Sequence, residues 1–521
     1  MQVEQFLENS AQQRPDKVAV VCGGQRLTFA QVDQAANRLA NGLIAAGVRR
    51  GDRVAVYLEN TIETVVGIFA TLKAGGVFMV INPTTKADKL SFILNNSRAA
   101  ALLTDVRRSP MLQTIAGRTP HTELVVFTGP SDPGAALQGK RLLRYDELTA
   151  ETTDFGKPLN RSIDIDLAAL IYTSGSTGTP KGVMLTHLNI VAAATSITTY
   201  LENVADDVIL DVLPLSFDYG LYQVLMAFKV GATIVLERSF AFPHAVLETV
   251  VSEGITGLPI VPTISAILLQ LDLSKYDLSR LRYVTNTAAA LPTAHILELR
   301  RRLPHARIYS MYGLTECKRV SYLPPDQIDV RPTSVGRGMP NEEVYLVDPD
   351  GQRLMHGVGE LVIRGSNVMK GYWELPEETE RVLRPGALPG ERVLYSGDLF
   401  RMDEEGYLYF LGRKDDIIKT RGEKVSPREV ENVLYEIAAV ADAAVVGVPD
   451  PVLGQALKAV LTVKPGATLT ERSVLSHCAE RLENFMVPKI VEFRSSMPKT
   501  SSGKIDKKTL HETVTSAPLQ G

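Results

Sequence analysis

Chemistry is most concentrated in the run Tyr172-Thr173-Ser174-Gly175-Ser176-Thr177-Gly178-Thr179-Pro180-Lys181-Gly182-Val183. Gly175, Gly178 and Gly182 let the backbone curl so that its N–H groups point inward at an anion. The hydroxyls of Thr173, Ser174, Ser176 and Thr177, with the ammonium of Lys181, supply donors for phosphate oxygens. A Walker-type loop ends in Gly-Lys-Ser/Thr, whereas Lys181 stands between Pro180 and Gly182 with no hydroxyl directly behind it to hold magnesium. Kinase-like phosphotransfer is therefore disfavoured, and a nucleotide-phosphate cradle of another kind is favoured. An inert Ser/Thr/Gly linker is the plainer alternative, but it does not explain one lysine set between apolar elements.

The elements that must hold this cradle are legible as alternating patterns. An apolar run at 169–171 precedes the loop and a helical pattern follows from Leu188, so the loop is expected to join a strand to a helix. Upstream, 2–12 and 28–43 have helical spacing, the latter with Thr28 as a cap, and 18–21 is β-branched. Residues 54–58 and 77–81 read as strands on either side of a helix at 61–72 that ends at Gly75-Gly76. Further strands are expected at 168–173, 208–213, 233–236, 281–285 and 307–310. Strands alternating with helices indicate α/β architecture with largely parallel sheets. From about Asp348 the strands shorten and the turns become polar, which points to a β-rich subdomain at about 345–411. A charged turn at 412–416 then separates a core of 1–411 from a small α+β module at 417–521, with helices at 427–435 and 471–482 and strands at 441–447 and 458–463.

Composition sets the outer limits. The 521 residues suggest several domains at about 100–200 residues each. With 45% hydrophobic and 22% charged residues the chain has an ordinary globular balance. The net charge of −3 favours neither nucleic acid nor an acidic membrane face. Cys22, Cys317 and Cys478 are far apart, which argues against a disulfide scaffold or a structural zinc site. The N-terminus is polar and acidic, unlike a signal peptide, and the longest apolar stretch, 65–81, is broken by Lys73, Gly75 and Gly76. A cytoplasmic enzyme with no membrane insertion is expected.

The loop resembles the signature of the adenylate-forming superfamily: acyl-CoA synthetases, nonribosomal adenylation domains and firefly-type luciferases. Further motifs match in the family's order along nearly the whole chain. Tyr312-Gly313-Leu314-Thr315-Glu316 is similar to Y/F-G-x-T-E, Gly359-Glu360-Leu361 through Gly365 to G-E-L-x-x-x-G, and Tyr395-Ser396-Gly397-Asp398 to Y-x-T/S-G-D. Gly412-Arg413-Lys414-Asp415 through Gly422 resembles the hinge block, and Pro498 through Ile505 the C-terminal lysine motif. The resemblance implies a large N-terminal domain of two doubly wound α/β subdomains plus the β-rich one, followed by a small mobile α+β C-terminal domain.

It also implies a reaction in two halves. A carboxylate attacks the α-phosphorus of ATP to give acyl-AMP and pyrophosphate, and a phosphopantetheine thiol then takes the acyl group. By resemblance, Lys504 bridges carboxylate and α-phosphate as the catalytic cation, Thr315 donates to the phosphate, and Glu316 holds Mg²⁺. Lys499 reads as a solvated surface residue. Tyr312 and Gly313 would lie beside adenine, Asp398 would accept from the ribose hydroxyls, and Arg413 would contact ribose or phosphate. Asp415 is the implied hinge, whose rotation would withdraw Lys504 and bring Arg421 and Gly422 to the thiol tunnel.

The acid and the thiol are less defined. Ser216-Phe217-Asp218 resembles amino-acid adenylation domains, whose Asp binds the substrate ammonium, whereas Leu213-Pro214-Leu215 with Tyr219-Gly220 resembles acyl-CoA ligases. A buried Asp218 would need a cationic partner, which favours an amine-bearing acid; the alternative is that it caps a helix starting near Tyr219. Lys318 and Arg319 either pair with a second carboxylate or polar group of the substrate or point to solvent or pyrophosphate. Tyr219, Tyr222, Asn286, Thr287 and Met311 are further pocket candidates. Gly521 follows soon after the lysine motif, so the thiol is expected in trans. A small polar or amino acid loaded onto a free-standing carrier protein is the favoured reading, with an acyl-CoA ligase acting on a fatty or other organic acid as the alternative.

Overall fold

The computed structural model describes residues 1–130, 137–150, 156–159, 162–174, 180–287, 291–414, 416–420, 423–450, 453–500, 504–507 and 509–510. Among the described residues the strands form four sheets. The first has the order Gly371–Tyr372, Pro180–Thr186, Leu167–Ser174, Val77–Val80, Arg53–Tyr57, Ala99–Asp105, Leu124–Thr128, Arg141–Arg144. From Leu167–Ser174 onward the neighbours run parallel. The second is parallel from Arg307–Tyr312 through Tyr283–Asn286, Gly257–Ile260, Val208–Asp211 and Thr233–Leu236 to Val18–Cys22. Strands such as Arg53–Tyr57 and Thr233–Leu236 read as continuous apolar runs because helices cover both faces of a parallel sheet.

Between the sheets lies one shared core. The helices Phe29–Ala45, Ile62–Lys73, His187–Tyr200 and Asp218–Val230 contribute to it together with residues of both sheets. Phe69 stacks on Phe228 at 5.0 Å and Phe29 meets it edge-on at 5.4 Å. Burying each such ring contributes about 1.5–3 kcal/mol. Thr28 caps its helix in a reciprocal box with Gln31, as its position ahead of an amphipathic run suggested.

The β-rich layer is antiparallel and begins at Glu342–Val347, slightly earlier than the change in texture near Asp348, followed by Gly357–Gly365, Arg392–Met402 and Leu408–Arg413. The C-terminal module has its own sheet, Ile418–Thr420, Glu423–Val425, Val440–Asp450, Gly454–Val463 and Ile490–Phe493, and its own core around Val430, Leu434, Val445 and Leu461. Its helix Pro427–Tyr435 rests on the large domain: the Arg428 guanidinium donates to the Leu291 carbonyl at 2.9 Å, and Tyr435 meets His295 edge-on at 6.0 Å.

One expectation is corrected. The phosphate segment does not join a strand to a helix; it links Leu167–Ser174 to an antiparallel strand, Pro180–Thr186, before the helix His187–Tyr200 begins. Pro180 and Gly182 disguised that strand. Pro180 takes its first position, where a missing N–H breaks little of the ladder, and Val183 and Leu185 are buried against the core.

Gly220 sets how closely the helix Asp218–Val230 can approach the preceding loop. A Cβ there would lie 2.6 Å from the Pro214 carbonyl oxygen and 2.8 Å from that of Leu213. Gly220→Ala should therefore lower stability by about 1–3 kcal/mol in urea denaturation, the usual cost of overpacking. An unchanged denaturation midpoint would show that the loop yields freely.

Candidate active site

The strand Arg307–Tyr312 delivers Tyr312 through Glu316 at the carboxyl edge of a parallel sheet, where α/β proteins place ligands. The chain then folds back tightly: Lys318 N–H bonds to the Leu314 carbonyl at 2.7 Å and Val320 N–H to that of Tyr312 at 3.0 Å. Gly313 is obligatory here, since a Cβ would meet the Lys318 carbonyl oxygen at 2.3 Å. The Tyr312 ring lies edge-on to Phe400 at 4.8 Å, and its hydroxyl donates to Asp398 Oδ2 at 2.5 Å. Thr315 sits half-buried in the same turn.

Asp398 is buried, and its Oδ1 has no hydrogen-bond partner among the described residues. Burial raises its pKa, and Arg413, whose Nε stands 3.4 Å away, pulls it back. A buried acceptor oxygen without a donor suits a hydroxylated ligand such as a ribose. Glu360, in the Gly-Glu-Leu motif, was not singled out as functional, yet it fastens this corner. It accepts from Gly397 N–H at 3.1 Å and from Lys414 Nζ at 3.0 Å.

Two more residues were missed beside the phosphate loop. Tyr372 donates to Glu316 Oε1 at 2.7 Å, and its ring lies 5.4 Å from Lys181 Nζ. Glu378 pairs with Lys181 at 2.8 Å. Thr173 is half-buried and lies opposite Lys181 in the hairpin register, with Ser174 opposite Pro180. Gly175, Ser176, Thr177 and Gly178 lie outside the described residues, as do Asp415, Arg421 and Gly422.

Lys504 reaches this cleft from the C-terminal module. Its loop is closed by Thr500 N–H on the Lys504 carbonyl at 2.7 Å and Lys504 N–H on Thr500 Oγ1 at 3.2 Å. The ammonium lies 5.9 Å from the Phe217 ring centroid. Burial pulls its pKa down, while Asp218, Asp398 and Glu316 act the other way. Its basic neighbours are engaged elsewhere, Lys499 with Asp442 at 3.1 Å and Lys507 with Glu431 at 2.7 Å. Lys499 is thus ion-paired and only partly solvated. Lys504 has no salt bridge among the described residues.

On the acyl side the structure brings Asp218, Tyr219, Tyr222, Lys318 and Arg319 together. Asp218 opens its helix but makes no capping bond with its side chain. Its partner is Lys318, at 3.6 Å. Lys318 is held in the left-handed backbone region at φ 70°, and its Nζ lies 4.6 Å from the Tyr222 ring and 5.6 Å from that of Tyr219. Burial pulls the Lys318 pKa down to about 7 against the attraction of Asp218. Neither Lys318 nor Arg319 points to solvent, being 3% and 1% exposed, which overturns that part of the plainer expectation for both. Asp218 already has a cation, so its burial is no longer a reason to require a substrate amine. The Tyr219 hydroxyl is tied to Thr285, at 2.8 Å from its carbonyl oxygen. Asn286 reaches the Ile260 carbonyl at 3.4 Å, and Thr287 Oγ1 is buried without a partner among the described residues. Met311 instead turns to Tyr200, whose hydroxyl lies 3.1 Å from its sulfur.

The model for AMP-binding enzymes matches residues 7–373 and that for the AMP-binding enzyme C-terminal domain residues 429–504, and the chain belongs to this family of adenylate-forming enzymes. It is an AMP-forming ligase that binds ATP and makes acyl-adenylates. A long-chain-fatty-acid–CoA ligase of Bacillus subtilis (strain 168) is 32% identical over 98% of this chain and 94% of its own. A feruloyl-CoA synthase of Amycolatopsis sp is 36% identical over 95% of each. The crystal structure of the anthranilate CoA ligase AuaEII in complex with anthranoyl-AMP superposes with a TM-score of 0.89 at 28% identity, covering 99% of this chain and 97% of that one. Among the described residues no helix is long and apolar enough to cross a membrane.

Removing one partner of a buried ion pair strands the other charge. Lys318→Met should therefore cost about 3–5 kcal/mol in chemical denaturation, and adding Asp218→Asn should restore much of it. Additive losses in the double variant would show that the two charges are not coupled.

Proposed function

We propose that this enzyme couples a small carboxylic acid to the thiol of coenzyme A through an acyl-adenylate. The observation that carries the reading is the ammonium of Lys504, brought from the C-terminal module to Phe217 and attracted by Asp218, Asp398 and Glu316. Carboxylate and triphosphate are both anionic, so their approach needs a cation that no protein carboxylate has already neutralised. Lys504 fits that requirement. Asp398 Oδ1 would take the ribose hydroxyls beside Tyr312, Thr315 would donate to the α-phosphate, and the loop from Thr173 to Lys181 would hold the remaining phosphates. Lys181 would then exchange Glu378 for phosphate oxygens.

Glu316 suits Mg²⁺, which takes hard oxygen ligands. That ion would neutralise charge on the phosphates.

For the thiol, the names of the similar proteins favour coenzyme A, and the Asp218–Lys318 pair removes the main reason for an amino acid. Loading of a carrier protein is the second reading, favoured by Ser216-Phe217-Asp218 and Phe485-Met486-Val487-Pro488. Passing the acyl group on would require Lys504 to withdraw, with a hinge at Asp415 dividing 1–411 from 417–521 and Arg421 and Gly422 replacing it at the thiol.

Lys504→Ala should lower ATP–pyrophosphate exchange by about 100- to 1,000-fold, as loss of one charge-stabilising donor does, with an unchanged circular-dichroism spectrum. Full exchange by a folded Lys504→Ala protein would show adenylation without this ammonium and defeat the role given to Lys504. Mass spectrometry of the thioester product separates the acceptors: acylated coenzyme A supports the first reading, and acylation of a pantetheinylated carrier alone supports the second.

A further inference from the structure

Arg319 is an anomaly in the buried acyl-side cluster. It is 1% exposed, forms no salt bridge, and its Nε and Nη1 have no hydrogen-bond partner among the described residues. Its guanidinium carbon stands 5.1 Å above the ring of Tyr219, the same ring that Lys318 approaches at 5.6 Å. The ring lends Arg319 some cation–π attraction, but it satisfies no N–H. A buried guanidinium in this condition costs several kcal/mol unless an anion arrives to meet it.

The surrounding carboxylates do not supply that anion. Asp218 is committed to Lys318 at 3.6 Å. Asp211 and Glu342 are pushed well toward their neutral forms by burial. Glu342 accepts from Asn367, and Asp211 from the N–H of Leu213 at 3.0 Å. Among the described residues no carboxylate closes a salt bridge with Arg319. Two features show that the chain is built to keep it there. Gly313 leaves room for the folded-back segment, whose Arg319 Cα a Cβ would meet at 3.0 Å, and Lys318 is held at φ 70° to bring the following residue inward.

The cluster also lies next to the proposed reaction centre. Phe217, beneath the Lys504 ammonium, is followed directly by Asp218 and packs edge-on against Tyr219 at 6.3 Å. A compact acid with its reacting carboxylate at Lys504 would extend its far end toward Tyr219. We propose that the acid carries a second carboxylate at that end, held by the free N–H groups of Arg319, with the Asp218–Lys318 pair fixing the wall beside it. The Nη2 of Arg319 together with Nε or with Nη1 makes a planar fork that matches a carboxylate in two parallel hydrogen bonds, which a hydroxyl or an apolar tail cannot reproduce. Arg319 is then a specificity residue: it binds the substrate and takes no part in the bond changes. This inference rests on the adenylation reading above.

The test is wild-type ATP–pyrophosphate exchange with matched pairs: succinate against butyrate, glutarate against pentanoate, and phthalate against 2-methylbenzoate. At least one diacid should be preferred over its partner in kcat/KM by about 10- to 100-fold, the worth of a charged hydrogen bond. Arg319→Met should abolish that preference, with a larger loss for the diacid than for the monoacid. Should Arg319→Met fail to fold, the wild-type comparison decides alone. Wild-type exchange with monoacids at least as good as with diacids in every pair would overturn the proposal and leave adenylation standing. Equal losses for both acids in a folded Arg319→Met protein would make Arg319 structural and also overturn it. Absence of exchange with any of the six acids would remove the proposal, and adenylation is judged separately by wild-type exchange with other acids.

Discussion

Bringing two anions together without letting the protein's own carboxylates absorb the cation is the constraint on which this structure turns. Asp218, Glu316 and Asp398 all attract the Lys504 ammonium, yet among the described residues none closes a salt bridge with it. Each is occupied on another side: Asp218 by Lys318, Glu316 by the Tyr372 hydroxyl, and Asp398 by the Tyr312 hydroxyl and Arg413. A lysine that formed a tight pair with any of them would pay to break it before meeting a substrate. Because those carboxylates are already partnered, the ammonium is left available.

The same economy appears at Lys181. It is paired with Glu378, whose other oxygen is held by Arg381, and its ammonium faces the Tyr372 ring. Tyr372 in turn bonds Glu316. The phosphate-loop lysine and the proposed metal carboxylate are thus linked through one aromatic side chain on the short strand Gly371–Tyr372, which closes the edge of the first sheet against Pro180–Thr186. Phosphate binding on one side would be felt on the other through contacts already in place.

Motif residues close in sequence were legible: the glycine-rich loop from its residue types, and the turn at Tyr312 through Glu316, Asp398 and Lys504 from the resemblance of their motifs to the family's. Partners were not. Tyr372 lies 56 positions from Glu316, Glu378 lies 197 from Lys181, and Lys414 lies 54 from Glu360. Nothing local announces such pairings, because the sheet order that creates them is set by core packing. The fold class was readable from alternating apolar runs, while Pro180–Thr186 was hidden by residues that usually end strands. Asp218 was misjudged for a related reason. Its need for a cation was correct physics, but a protein cation, from a turn on another strand, already stands beside it.

That misjudgement shows how buried charge divides labour in this pocket. An aspartate and a lysine that neutralise each other select no ligand charge, yet they fix geometry, since the pair ties the start of the helix Asp218–Val230 to the turn after the strand Arg307–Tyr312. Selection then falls to whatever charge is left over. With Lys318 satisfied, that charge is on Arg319, one residue farther along the same turn and stacked over the same tyrosine. Apolar residues of equal size would pack this wall at lower cost, so the persistence of a fully buried guanidinium without a protein acceptor is best understood as a cost met by a ligand. Shape alone discriminates weakly between acids that differ by a methyl group and a carboxylate, whereas a stranded donor rejects the wrong one strongly. The pair builds the pocket wall, and the unpaired arginine reads what is placed against it.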